Sequence, residues 1–195
     1  TINEVGITDF AAVRNRELSQ VKTNWVLYLD SDEQLSRQLE SEINEAITSE
    51  QYDAYYVKRQ DIFLGRTLKH GEAGNLYLIR LARKTWGRWQ RPVHEVWQGE
   101  GRVGYLKNPL LHTPHSSISS FLDKINKYSQ IEAQYRYKQG MKSDLFHLVC
   151  YPLAKWAHNY ILRLGFLDGT AGMIHDGLMS FHSYLTWSKL YLLCK

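Results

Sequence analysis

Asp30, Asp32 and Glu33 follow directly on the apolar run WVLYL (25–29), and three carboxylates at the mouth of a buried strand need a reason. One reading is a solvated turn whose acids complement the dipole of the helix that follows. A calcium loop is excluded: with Asp30, Asp32 and Gln34 at loop positions 1, 3 and 5, the sixth position is Leu35 instead of glycine and the twelfth is Ser41 instead of a bidentate glutamate. A third reading is a divalent cation at the C-terminal end of a parallel strand, where open α/β sheets bind ligands. Two carboxylates on either side of one residue can share a hard cation, which neutralises the phosphates of a nucleotide.

The elements that must position these acids are legible in the periodicity. FAAVRNRELSQV (10–21) has helical spacing with Phe10, Val13, Leu18 and Val21 as its apolar positions. The continuous apolar run 25–29 is the pattern of a parallel strand covered on both faces. Leu35, Leu39, Ile43 and Ile47 recur every four residues, which predicts an amphipathic helix with Ser36 as N-cap. YDAYYVKRQDIFLG (52–65) and NLYLIRLARK (75–84) read as strands separated by HGEAG, and VGYLKNPLLH (103–112) as a third with Pro109 at an edge or bend. From Ser117 the pattern is helical. One helix ends at Gly140, a second runs from about Ser143 to Leu164, and a last one begins near Met173 after the break GFLDGTAG. This predicts an α/β domain over 1–115 and a helical region over 116–195.

Composition narrows the function. The chain has 195 residues, 44% hydrophobic and 23% charged, as a folded globular protein does. A net charge of +4 suits a protein that handles phosphates or sits near anionic lipid, and is too weak to argue for nucleic acid. Cys150 and Cys194 lack metal or redox spacing and read as buried thiols in a reducing compartment. No stretch reaches the ~18 apolar residues of a membrane span. Trp156, Tyr160, Tyr184, Trp187 and Tyr191, mixed with Lys155, Arg163, Lys189 and Lys195, suit either a headgroup interface or aromatic packing between helices. HEVWQ is no zinc-protease motif, because Gln98 replaces the second histidine. GEGRVG (99–104) leads into a strand and so fails as a dinucleotide fingerprint.

Four pieces in order carry a resemblance: AAVRNREL, NWVLYLDSDEQLSRQLESEI, RWQRPVHEVW and GFLDGTAGMIHDGLMSFHSYLTWSKL. Together they resemble the family 2 glycosyltransferases, inverting enzymes of GT-A fold that use nucleotide sugars, and within them the lipopolysaccharide-core glucosyltransferase branch. The family's first strand, Asn-Glu turn and base pocket have no counterpart here, so the chain resembles the C-terminal two-thirds of such an enzyme, inactive by itself. The resemblance implies a nucleotide diphosphate sugar donor, UDP-linked, and a cell-surface glycan or lipid-linked acceptor. It implies Mn2+ or Mg2+ as cofactor and a place in the cytoplasm or on the cytoplasmic face of the inner membrane. By the same resemblance Asp30 meets the ribose, Asp32 holds the metal, and Glu33 supports the cluster. Arg14 and Asn15 belong to the donor site, and Arg88 and Arg91 grip the diphosphate. His112 or His115 adds a metal ligand or touches the diphosphate. Glu95, between Val93 and Val96–Trp97, is the expected general base, its pKa lifted by desolvation. Asp168 is expected to organise a turn between helices. The rival reading is a non-catalytic glycan- or membrane-surface-binding module on the same fold.

Overall fold

The computed structural model describes residues 8–114 and 117–195, a mixed α/β chain that divides into two compact units. Unit 1 comprises 1–60 and 76–112, and unit 2 comprises 61–75 and 113–195. The last break falls between His112 and Thr113, near the boundary drawn at 115, but Asp61–Asn75 groups with the helices.

Unit 1 opens with helix α1 (Phe10–Gln20), whose N-cap Asp9 accepts a hydrogen bond from the Ala12 amide at 2.9 Å. Strand β1 (Trp25–Leu27) follows, then β2 (Glu33–Gln34) and helix α2 (Arg37–Ser49). Ser36 caps α2 as expected, accepting from the Leu39 amide at 3.1 Å. The buried stripe of α2 is Leu39, Ile43 and Ala46, with Ile47 packed beside it; Leu35 lies before the helix and is exposed. Strands β3 (Ala54–Phe63) and β5 (Leu76–Arg83) pair antiparallel, with β4 (Arg66–Thr67) in the connection between them. The hairpin β6 (Gly87–Gln90) and β7 (Val96–Gly99) comes next, and its polar residues and proline hid it from the sequence reading. The expected third strand is two, β8 (Val103–Tyr105) and β9 (Leu110–His112), because Pro109 interrupts the run.

The sheet order is β1-β5-β3-β9-β2, with β8 parallel to β3. One expectation is corrected here: β1 is not a parallel strand, since it pairs with β5 in antiparallel register, Val26 opposite Ala82. Its coverage on both faces is real. Val26 and Tyr28 join one core cluster with Leu18, Trp89 and Trp97, while Trp25 and Leu27 pack against a second cluster built on α2. An apolar run reports burial on two faces, and that is blind to strand direction. β1 and β2 stand at opposite ends of the sheet order yet are joined by only five residues, so the sheet is curled and the acidic segment bridges its ends.

Unit 2 holds helices α3 (Ile118–Lys138), α4 (Leu145–Trp156) and α5 (Gly169–Leu193). α3 closes as expected: Gly140 takes φ +76°, a conformation in which a Cβ is costly. α4 contains Pro152 and passes into a wider π-helical stretch, Ala157–Leu162, before a 3-10 turn at Gly165–Asp168. α5 starts four residues before the predicted Met173, because Gly169 and Gly172 allow the 3-10 turn to lie against it; a Cβ on Gly172 would meet the Gly165 carbonyl at 2.3 Å. The core joins Phe63, Leu68, Phe121, Ile125 and Ala171. Cys150 is half-buried and Cys194 exposed, which corrects the reading of two buried thiols. Among the described residues no helix is long and apolar enough to cross a membrane.

Candidate active site

The ladder between β1 and β5 runs one step past β1, with the Tyr28 amide donating to the Arg80 carbonyl at 2.9 Å. That register sets the Arg80 side chain beside the acidic segment. Arg80 is buried, and its Nη2 lies 2.6 Å from Asp30 Oδ2 and 2.5 Å from Glu33 Oε1. The segment itself folds back, the Glu33 amide donating to the Asp30 carbonyl at 3.0 Å and the Asp30 amide to Glu33 Oε2 at 3.0 Å. Glu33 is thus buried and bonded to both the Asp30 backbone and Arg80.

Arg14, on α1, holds the other Asp30 oxygen: Nη2 lies 2.6 Å from Oδ1 and 2.8 Å from Glu95 Oε1, while Nε donates to Glu95 Oε1 at 2.9 Å. Its guanidinium sits over the rings of Trp89, 4.6 Å from the centroid, and Tyr28, at 5.5 Å. The result is a continuous chain of alternating charge, Glu33–Arg80–Asp30–Arg14–Glu95. Burial pushes the Asp30 carboxyl upward, but the guanidiniums of Arg80 and Arg14 outweigh it and hold the group below its usual value. Burial likewise works against the Arg14 charge, and Asp30 and Glu95 overcome it.

Glu95 owes its place to the β6–β7 hairpin. Trp89 and Trp97 face each other in register and stack at 5.4 Å, and Val93 in the connecting turn is buried. Arg91 (φ +73°) and His94 (φ +51°) both adopt left-handed backbone there, and such conformations collect at functional turns. The turn is tied to α1 by the Phe10 amide, which donates to the Pro92 carbonyl at 2.9 Å. The expectation of a purely apolar setting for Glu95 is corrected: Val96 is exposed, and Arg14 grips Oε1. Both Arg14 contacts fall on that one oxygen.

Asn15 donates from Nδ2 to the Trp89 carbonyl at 2.8 Å and accepts on Oδ1 from the Trp89 amide at 2.9 Å. These two bonds fasten the hairpin to α1. Arg88 alternates with the buried Trp89 and is exposed on the other side of β6, and Arg91 is half-buried in the turn. Asp32 is brought to His112 by the pairing of β2 with β9, which sets Glu33 opposite His112. His112 Nε2 lies 3.5 Å from Asp32 Oδ1. His115 falls outside the described residues. Among those described, no three histidine, cysteine or carboxylate groups form a ready metal cage. The Asp32–His112 pair still fits a cation that takes its remaining ligands from a substrate, as Mg2+ does with one or two carboxylates and phosphate oxygens. Three carboxylates, Asp30, Glu33 and Glu95, pair with the two guanidiniums, and Asp32 lies beside His112.

Arg80 and Tyr28 were missed by the sequence reading. The signal for Arg80 was a lone charge inside LYLIRLA, since an arginine in an apolar strand must be paired. Tyr28 packs edge-on to Trp89 and Trp97, and its hydroxyl donates to the Arg14 carbonyl at 2.8 Å. In unit 2, Asp168 accepts from the Lys69 and His70 amides at 2.9 and 2.8 Å and pairs with His70 Nδ1 at 2.9 Å. It orders the 68–70 loop in addition to the turn between helices.

No protein-family model matches the chain. Curated relatives do. An uncharacterized glycosyltransferase of Rickettsia typhi is 25% identical over 185 residues, covering 88% of this chain and 63% of its own length. A similarly named protein of Rickettsia prowazekii aligns with the same identity and coverage. The lipopolysaccharide core biosynthesis glycosyltransferase LpsC of Rhizobium meliloti is 26% identical over 191 residues, covering 93% of this chain and 69% of its own length. The chain thus spans a little under two-thirds of the two rickettsial relatives, and over most of its own length it is similar to proteins named glycosyltransferases.

Proposed function

We propose that this chain is the acceptor-side part of an inverting glycosyltransferase of GT-A type that builds a cell-surface glycan, as in lipopolysaccharide core assembly. The observation that carries the reading is the Glu33–Arg80–Asp30–Arg14–Glu95 chain, which joins three separate sequence pieces into one set of charges beside Asp32 and His112. The donor is a nucleotide diphosphate sugar, UDP-linked, and the acceptor a glycan or lipid-linked saccharide met in the cytoplasm or at the cytoplasmic face of the inner membrane. Glu95 Oε2 takes the proton of the acceptor hydroxyl as that oxygen attacks the anomeric carbon. The attack comes from the face opposite the diphosphate, so the configuration inverts while the bond to the leaving oxygen breaks. Arg14 sets the orientation of the Glu95 carboxylate and links it to Asp30. Asp30 retains acceptor capacity beyond its two ion pairs, enough for a ribose hydroxyl. Asp32 and His112 would hold Mn2+ or Mg2+, which supplies charge neutralisation at the departing diphosphate.

The test is Glu95→Gln in the full-length enzyme, with turnover and donor affinity measured together. Turnover should fall ~10²–10⁴-fold while donor affinity is retained. Near-normal turnover removes Glu95 from the reaction and favours a non-catalytic glycan-binding module.

A further inference from the structure

α4 is built the wrong way round for a helix in water. At about 100° per residue, Leu145, Phe146, Val149, Leu153 and Trp156 fall on one stripe, and all five are exposed. The opposite side carries His147, Leu148, Tyr151 and Lys155, and it is this more polar side that packs inward. His147 and Tyr151 lie against Trp187, Leu148 joins the cluster of Ala133, Trp187 and Leu190, and Lys155 pairs with Glu72. No residue of α4 is fully buried. The apolar exposure continues through the π-helical stretch and the 3-10 turn. Between 145 and 167, leaving aside Tyr151 on the side that meets Trp187, ten large apolar side chains are exposed, with Leu145 at 68%, Phe146 at 63%, Leu153 at 63% and Leu162 at 72%. A contiguous patch of this kind marks a surface that meets something other than water.

The charges say what it meets. Unit 2 contains eleven Lys and Arg and seven Asp and Glu, so it carries the whole net charge of +4, and unit 1 is neutral. Four of those seven carboxylates, Asp61, Glu132, Asp168 and Asp176, are buried, whereas none of the eleven basic side chains is. The surface of unit 2 is therefore more basic than its composition. The stretch 145–167 contains no acid; exposed Arg163 lies within it, and exposed Lys138 and Lys142 stand before it in the chain. Trp156 and Tyr160 stack at 5.1 Å in the same stretch, amphipathic rings of the kind that settle at headgroup depth.

We propose that the surface formed by α4, the π-helical stretch and the 3-10 turn docks on an anionic lipid bilayer, the helix lying in the interfacial plane with its apolar stripe inserted. α5 does not extend this surface at Trp187 and Lys189: Trp187 is buried and Lys189 is bound to Asn126 and Ser129, so α5 packs internally there. The proposal is independent of the sugar-transfer reading, since unit 2 alone carries it.

The test is flotation of the 195-residue chain with phosphatidylglycerol-containing vesicles and with pure phosphatidylcholine vesicles, with its mass followed by light scattering. Binding should require the anionic lipid. The triple substitution F146S/L153S/L162S should lower partitioning by roughly a hundredfold or more, with circular dichroism and melting unchanged because all three side chains are exposed. The pair K142E/R163E should weaken binding by about fivefold per charge at low salt. Glu95→Gln should float as the parent does. Absence of flotation with any vesicle overturns the proposal, as does flotation that survives the triple substitution. A stable dimer that the triple substitution dissolves, with no flotation, assigns the face to a second copy of the chain instead.

Discussion

Asp30 in unit 1 is half-buried and Asp168 in unit 2 is buried, and the two carboxylates are satisfied in opposite ways. Asp168 is held by two backbone amides and one imidazole, all within a loop that it shapes. Asp30 is held by two guanidiniums on long side chains, Arg14 and Arg80, each shared with a further carboxylate. Backbone amides cannot move without moving the loop, so Asp168 is structural. Each guanidinium is shared with a further carboxylate, so a change at Asp30 is felt at Glu33 and Glu95 as well. The lesson is that burial of an acid does not by itself mark chemistry; what pairs with it does.

The sharpest way to break this contrast is Arg80→Met. Removing one guanidinium leaves Asp30 half-paired and Glu33 buried without its cation, and breaking a buried pair costs about 3–5 kcal/mol. Urea unfolding should show that loss, and a change under about 1 kcal/mol would mean the network is not what holds β1, β2 and β5 together.

Asp168→Ala should come next, at about 2–3 kcal/mol, since the Lys69 and His70 amides lose their acceptor. Asp168→Asn should recover a substantial part, because an amide oxygen still accepts from an N–H. In the full-length enzyme the Asn variant should turn over normally once folded. A collapse of turnover like that expected for Glu95→Gln would erase the distinction between the two acids.

The smallest effect is in pH. The Asp30 carboxyl is depressed in the folded chain from a usual 3.8. Its contribution to stability is therefore complete above that value and is lost as pH falls through the depressed one. Denaturant midpoints measured from about pH 5 downward should fall less steeply for Asp30→Asn than for the parent. Superimposable profiles would show that the two arginines do not stabilise the ionised form.

Several local features were readable from residue types alone. Ser36 before a four-residue apolar repeat announced α2, and Gly140 announced the end of α3, because capping and left-handed backbone depend on near neighbours. Asp30, Asp32 and Glu33 were legible as a cluster, since three carboxylates that close an apolar run need a reason, whereas Glu95 stood out only through the resemblance. The hairpin at 87–99 was not, because its inward residues, Trp89 and Trp97, bury against each other and Tyr28 and not along a continuous apolar face.

By itself the sequence determined which residues carry charge, where α2 begins and α3 ends, and that the run from Trp25 to Tyr28 is covered on both faces. Only the tertiary structure decided that β1 runs antiparallel to β5, and with that register came Arg80, the cation that joins Asp30 to Glu33. It alone decided, too, that Arg14 reaches Glu95 across 81 residues and that α4 turns its apolar stripe outward. The physical reason is the same in each case. Periodicity records that two faces of an element differ, whereas strand partners, ion pairs and the outward face are set by residues distant in the chain.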